Sequence, residues 1–151
     1  MNPRRDTHER FRALPMFADC SDAELAEIDR LTDEVHVESG RTILRQGDLG
    51  QEFAVIVSGT AQVLKDGVVV AELGPGDYFG EVALLEAIPR TASVVASSDL
   101  LLEVIDRRGF NTLLDDLPSL SRSMLKGMAH RLVELEQAYQ QLRQATDQGP
   151  A

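Results

Sequence analysis

Tryptophan is absent from the 151 residues, tyrosine occurs twice and cysteine once. The single cysteine, Cys20, excludes an internal disulfide, which fits a reducing compartment, and the cytoplasm is the expected location. It has no neighbouring histidine in sequence and reads as an inert thiol. No apolar run approaches the roughly eighteen residues a membrane helix needs. Residues 1–12 are polar and lack the apolar core of a secretory signal, so neither membrane nor secretion is expected. Positive charge is scarce: 15 Lys and Arg stand against 25 Asp and Glu, a net charge of −10. A nucleic-acid partner is not expected, because no basic face of any length is present. The local excess at Arg4, Arg5, Arg10 and Arg12 reads as a solvated tail. The three histidines, His8, His36 and His130, are scattered, with no H-x-H or H-x-x-x-H spacing, so no metal is expected. No nucleophile and base stand together, and no enzyme is expected. Asp106-Arg107-Arg108 reads as a helix start with ion pairing.

What is present suits one domain with a real core: hydrophobic residues make up 43% of the chain. Ser21-Asp22-Ala23-Glu24 is a capping-box pattern with Ser21 as N-cap, followed by Leu25, Ile28 and Leu31 on one helical face, and the helix is expected to end near Asp33. From residue 35 to 105 the pattern changes to short alternating or β-branched runs at 35–37, 42–44, 54–57, 61–64, 68–73, 93–96 and 100–105. Gly and Asp punctuate them, and Asp66-Gly67 between apolar pairs is a hairpin signal. Such regular strands imply a sandwich or barrel, with the strand order left open. A short helical interruption is expected at 81–85. Helices return at 107–114 and, with Pro118 in the first turn, from 118 to about 144. The domain is expected to span 15–144, between a flexible segment 1–14 and a flexible tail 145–151.

The densest signal is Phe79-Gly80-Glu81-Val82-Ala83-Leu84-Leu85 followed by Pro89-Arg90-Thr91-Ala92-Ser93-Val94. An arginine near free backbone N–H groups suits a phosphate. A glutamate beside it repels phosphate but accepts from a sugar hydroxyl. The segment therefore reads as a receptor for a ligand with both groups. Gly80 permits close backbone approach.

This run, with Gly47-Asp48, Gly59, Asp66-Gly67 and Leu73-x-x-Gly76-Asp77 in order before it, resembles the phosphate-binding cassette of cyclic-nucleotide-binding domains. These are the sensor modules of catabolite activators, of protein kinase A regulatory subunits and of cyclic-nucleotide-gated channels. The resemblance covers roughly residues 15 to 135. It implies an α+β fold, an antiparallel β-roll of jelly-roll type with an N-terminal helix, a short cassette helix and C-terminal helices. It also implies that Arg90 contacts the cyclic phosphate and Glu81 the ribose 2′-hydroxyl. The amides of Ala83, Leu84 and Ala92 are implied donors to the ligand. Thr91 is implied near the base or phosphate and does not decide between cAMP and cGMP. Arg131 falls where catabolite activators carry an arginine near the base. Their adenine-gripping Thr-Ser pair is replaced by Leu135-Glu136, so Leu135 or Tyr139 becomes a candidate lid. The chain stops soon after this helix, so the expectation is a standalone sensor without a helix-turn-helix and without a cofactor, acting on an unidentified downstream protein.

Leu125, Met128, Leu132, Leu135, Tyr139 and Leu142 recur at alternating steps of three and four. That is the seam of a coiled coil, and a homodimer through it is expected; one amphipathic helix packed on its own β-roll would need a similar stripe. Gly127 reads as a hinge or a tolerated surface position. The competing functional reading is a vestigial structural or dimerisation module that binds no nucleotide.

Overall fold

The computed structural model describes residues 9–86 and 88–147. Ser21 caps helix α1 (Asp22–Leu31) through a complete capping box: its hydroxyl accepts from the Glu24 N–H, and the Glu24 carboxylate accepts from the Ser21 N–H. Eight strands follow, with one helix among them. They are β1 (Asp33–Val37), β2 (Thr42–Leu44), β3 (Glu52–Ser58), β4 (Ala61–Lys65), β5 (Val68–Leu73), β6 (Tyr78–Phe79), helix α2 (Glu81–Glu86), β7 (Ser93–Ala96) and β8 (Leu100–Asp106). Helices α3 (Arg107–Asp116) and α4 (Pro118–Asp147) close the described chain. Asp66 and Gly67 form the two-residue β4–β5 turn, with φ of 52° and 79°. Positive φ at both central residues is what the hairpin class matched to strand twist requires.

The strands form two four-stranded sheets, ordered β1-β8-β3-β6 and β2-β7-β4-β5, with every pair antiparallel. This is the β-roll with flanking helices. Alternation along β3 builds both halves of the core. Phe53 and Val55 pack with the helices, against Phe17, Leu25, Ile28, Phe110 and Met124. Ala54 and Ile56 face the other way and meet Phe79, Val94, Leu100 and Leu102 between the sheets.

The core begins before residue 15. Residues 9–12 are helical, and Phe11 and Leu14 are buried with the helix-side cluster. Arg10 and Arg12 are ion-paired there, with their side chains still 41% and 46% exposed. Arg12 pairs with Asp22. Arg10 donates to Glu34 at 2.9 Å and lies 3.8 Å from Glu103, two carboxylates directly opposite each other on β1 and β8. Like charges opposed across strands destabilise a sheet, and the guanidinium offsets that repulsion. Arg4 and Arg5 lie outside the described residues. The ion pairing expected at Asp106-Arg107-Arg108 is absent among the described residues: Asp106 caps α3 by accepting from the Gly109 N–H, and Arg107 donates to the Gly50 carbonyl. Cys20 is buried, and burial pushes its thiol pKa up, which keeps it unreactive. No helix among the described residues is long and apolar enough to cross a membrane.

Helix α4 is 30 residues long, about 45 Å at 1.5 Å per residue. Leu120, Met124, Gly127 and Arg131 form the face turned to the roll. Beyond Met128 every described residue up to 146 is exposed. Gly127 is a contact position rather than a surface one: a Cβ there would lie 2.7 Å from Tyr78 Oη. Tyr78 is buried, and its hydroxyl donates to the Met124 carbonyl at 3.4 Å. Gly127→Ala is therefore expected to destabilise the fold by about 1 kcal/mol, since a forced contact outweighs the helix-propensity gain of alanine. In a Tyr78→Phe background the obstructing oxygen is gone, and the same substitution should become neutral or stabilising. Thermal unfolding of the four proteins of this cycle checks the sign reversal.

Candidate functional site

A cavity of about 610 Å³ opens between the β2-β7-β4-β5 sheet, the segment from Asp77 to Glu81, the Arg90–Ala92 loop and α4. Its position follows from local backbone requirements. Gly80 adopts φ 97°, and a Cβ there would lie 2.6 Å from the Glu52 carbonyl oxygen and 2.9 Å from Arg90 Nη1. Only glycine lets the chain turn here from β6 into α2 while touching β3 and the arginine. The Arg90 backbone is pinned on the other side: its N–H donates to Asp48 at 2.7 Å and its carbonyl accepts from Gly47 at 2.8 Å.

Arg90 is 6% exposed. Nη1 donates to the Gly80 carbonyl at 3.0 Å and Nη2 to the Glu52 carbonyl at 2.7 Å. These use two of the five N–H donors of the guanidinium. No carboxylate lies within 4.0 Å of it among the described residues. Burial pushes its pKa down, with Glu52 and Glu81 opposing at longer range, yet an arginine keeps its charge across the working pH range. The side chain is thus a buried cation, held in place by neutral oxygens, with donors to spare. That arrangement suits an anion.

Glu81 is equally buried, at 6% exposed. Its carboxylate accepts from Arg131 Nη1 at 3.2 Å, and Arg131 Nη2 donates to the Tyr78 carbonyl at 3.2 Å. The Arg131 guanidinium also stacks over the Tyr78 ring, 4.6 Å from its centre. Arg131 therefore fastens α4 to β6 and to the start of α2 through the Glu81 carboxylate. Burial raises the Glu81 pKa, and its own backbone N–H, Arg131 and Arg90 only partly offset it. A carboxyl raised above its unfolded value binds its proton more tightly when folded. It contributes most at low pH, and that contribution declines as pH rises from the ordinary carboxylate range through the shifted one. Ligand-free Glu81→Gln should lack this decline, so its stability relative to the parent should increase between pH 4 and neutrality; denaturant titrations at both pH values check it.

Thr91 and Ala92 line the cavity beside Arg90. Ala83 and Leu84 lie on α2, and the Leu84 side chain belongs to the helix-side core. Leu135 lines the cavity and Tyr139 does not, so of the two candidate lids only Leu135 is in place. The wall from β5, with Ala71, Glu72 and Leu73, and Glu134 on α4 were not legible as site residues. The signal for Glu134 was its spacing, three residues from Arg131 and hence on the same helix face.

A model of the family described as cyclic nucleotide-binding domain matches residues 34–116. The cAMP-dependent protein kinase regulatory subunit of Yarrowia lipolytica is 40% identical over 74% of the chain, and that of Aspergillus niger is 37% identical over 79%. The chain spans 30% of the length of each. Among solved structures, the catabolite activator protein of Thermus thermophilus superimposes with a TM-score of 0.76 at 27% identity, covering 91% of this chain and 73% of that one.

Proposed function

Because the chain belongs to the family of cyclic nucleotide-binding domains, we propose that its cavity receives a purine cyclic nucleotide, cAMP or cGMP, and that α4 carries the signal of occupancy. The observation that carries this reading is the buried Arg90 guanidinium with unused donors, next to the buried Glu81. Arg90 contacts the cyclic phosphate, with Thr91 and Ala92 beside it, and Gly80 with the α2 amides of Ala83 and Leu84 close to the ligand. Glu81 accepts from the ribose 2′-hydroxyl. Relatives with cAMP in their names make cAMP the first ligand to try.

Signal transfer follows from the Arg131–Glu81 contact. A ribose hydroxyl at Glu81 competes for the same carboxylate, so occupancy alters the restraint on α4. A ligand with different affinities for two helix positions shifts the population between them. The exposed seam of α4 supports a homodimer as the form in which that shift is passed on, to a downstream protein whose identity lies beyond the chain. One observation favours the rival reading, a dimerisation module with a vestigial pocket: Arg131 already occupies Glu81.

Thermal unfolding with and without cAMP or cGMP separates the two. Ligand at a hundred times its Kd stabilises by about 2.7 kcal/mol, roughly 5–10 °C for a domain of this size. No shift with either nucleotide favours the vestigial module.

A further inference from the structure

The Glu52 carbonyl, which accepts from Arg90 Nη2 at 2.7 Å, stands at the end of its strand. Glu52 forms the last pair of the β3–β8 ladder, opposite Asp106. It also lies beyond the β3–β6 ladder, which stops at Ala54 opposite Phe79. Ends of this kind open locally unless they are held. The two residues before Glu52 are held by Arg107, in the first turn of α3. Its backbone N–H donates to the Gln51 carbonyl at 2.9 Å, and its Nη2 donates to the Gly50 carbonyl at 2.9 Å. Consecutive carbonyls of an extended strand point to opposite neighbours. Tying the Gln51 carbonyl to α3 therefore turns the Glu52 carbonyl the other way, to Arg90. Arg107 forms no ion pair among the described residues, and its guanidinium is committed to this backbone. It is also close enough to Arg90 to oppose that group's charge.

We propose that Arg107 is a positioning residue for phosphate binding: its hydrogen bond to the Gly50 carbonyl holds residues 50–52 so that the Glu52 carbonyl fixes the Arg90 guanidinium in the cavity. This rests on the nucleotide reading above. A binding group is only as precise as the contacts that lock its side chain. Two carbonyls lock Arg90, and one of them depends on a strand end that Arg107 fastens. A cation at residue 107 also attracts an anion through space, and that attraction persists when Arg90 is gone. Positioning does not persist, because the group positioned is absent.

The experiment is a double-mutant cycle read by calorimetry with cAMP and cGMP: the full chain, Arg107→Ala, Arg90→Ala and the double variant, each below its own unfolding temperature. Arg107→Ala should weaken binding about fivefold or more, the effect of one lost hydrogen bond. In the Arg90→Ala background the same substitution should change affinity by less than about twofold. Arg107→Lys keeps the charge and a donor for the Gly50 carbonyl. It should return affinity to within about threefold of the parent, since a single hydrogen bond is at stake. Arg108→Ala removes the same charge from the exposed neighbouring position and should leave affinity unchanged. If Arg107→Ala does not fold, Arg107→Gln, whose shorter side chain gives up the contact, runs the same cycle. Equal weakening in both backgrounds, no weakening, no recovery with lysine or an equal effect of Arg108→Ala overturns the assignment and leaves the nucleotide site standing. No binding of either nucleotide by the parent overturns both.

Discussion

Replacing Arg90 with alanine should weaken cyclic-nucleotide binding by about tenfold or more, since a hydrogen bond to a charged group contributes roughly 1.5–3 kcal/mol. The substitution has a second, separable effect. The Gly80 and Glu52 carbonyls lose their guanidinium donors, and unmet acceptors in a buried place cost about 1–3 kcal/mol of stability. The variant should therefore unfold at a lower temperature even without ligand. Arg90→Lys keeps the charge but not the planar fork of donors, and should fall between parent and alanine in affinity. Titration of each variant below its own unfolding temperature isolates the binding term. Unchanged affinity in Arg90→Ala would reject the site.

The second large effect concerns α4. Leu132→Glu should convert a dimer to a monomer, read as a halving of molecular mass by light scattering. Only part of the apolar stripe along α4 is covered by the roll. Leu120 and Met124 are buried and Met128 is partly buried against the core, whereas Leu125, Leu132, Leu135, Tyr139 and Leu142 are each at least 57% exposed. Packing on its own roll accounts for the first set and leaves the second uncovered. A contiguous exposed apolar stripe of this kind marks an association surface, and a charge in the middle of a heptad seam disrupts it. A parent that is already monomeric across the working concentration range would remove the dimer from the account.

Much of the roll could be read from local signals, because the strands are short, β-branched and separated by turn residues that leave few alternatives. β2, β5 and β7 coincide with the runs at 42–44, 68–73 and 93–96. Elsewhere the ends moved by a few residues: α4 reaches Asp147 and α3 reaches Asp116. β6, only Tyr78–Phe79, carries no periodicity of its own and exists through pairing with Ala54 and Val55 on β3. Burial of Phe11 and Leu14 was hidden for a related reason: a polar segment with two apolar residues has no stripe until the core it meets is known. The polar pair Arg90 and Glu81 was legible as a motif. Their neighbours across the cavity were not, because the wall from β5 depends on sheet order, which spacing along the chain does not encode. Gly127 misled because its reason lies on Tyr78, 49 positions away in sequence. The destination of Arg131 likewise depends on where α4 crosses the cassette.

The most direct measurement is isothermal titration calorimetry of the full chain with cAMP and with cGMP, each at two temperatures so that a vanishing enthalpy at one cannot hide binding. The account predicts saturable heat with at least one of them, at one site per chain. Absence of saturable heat with both, at both temperatures, would contradict it.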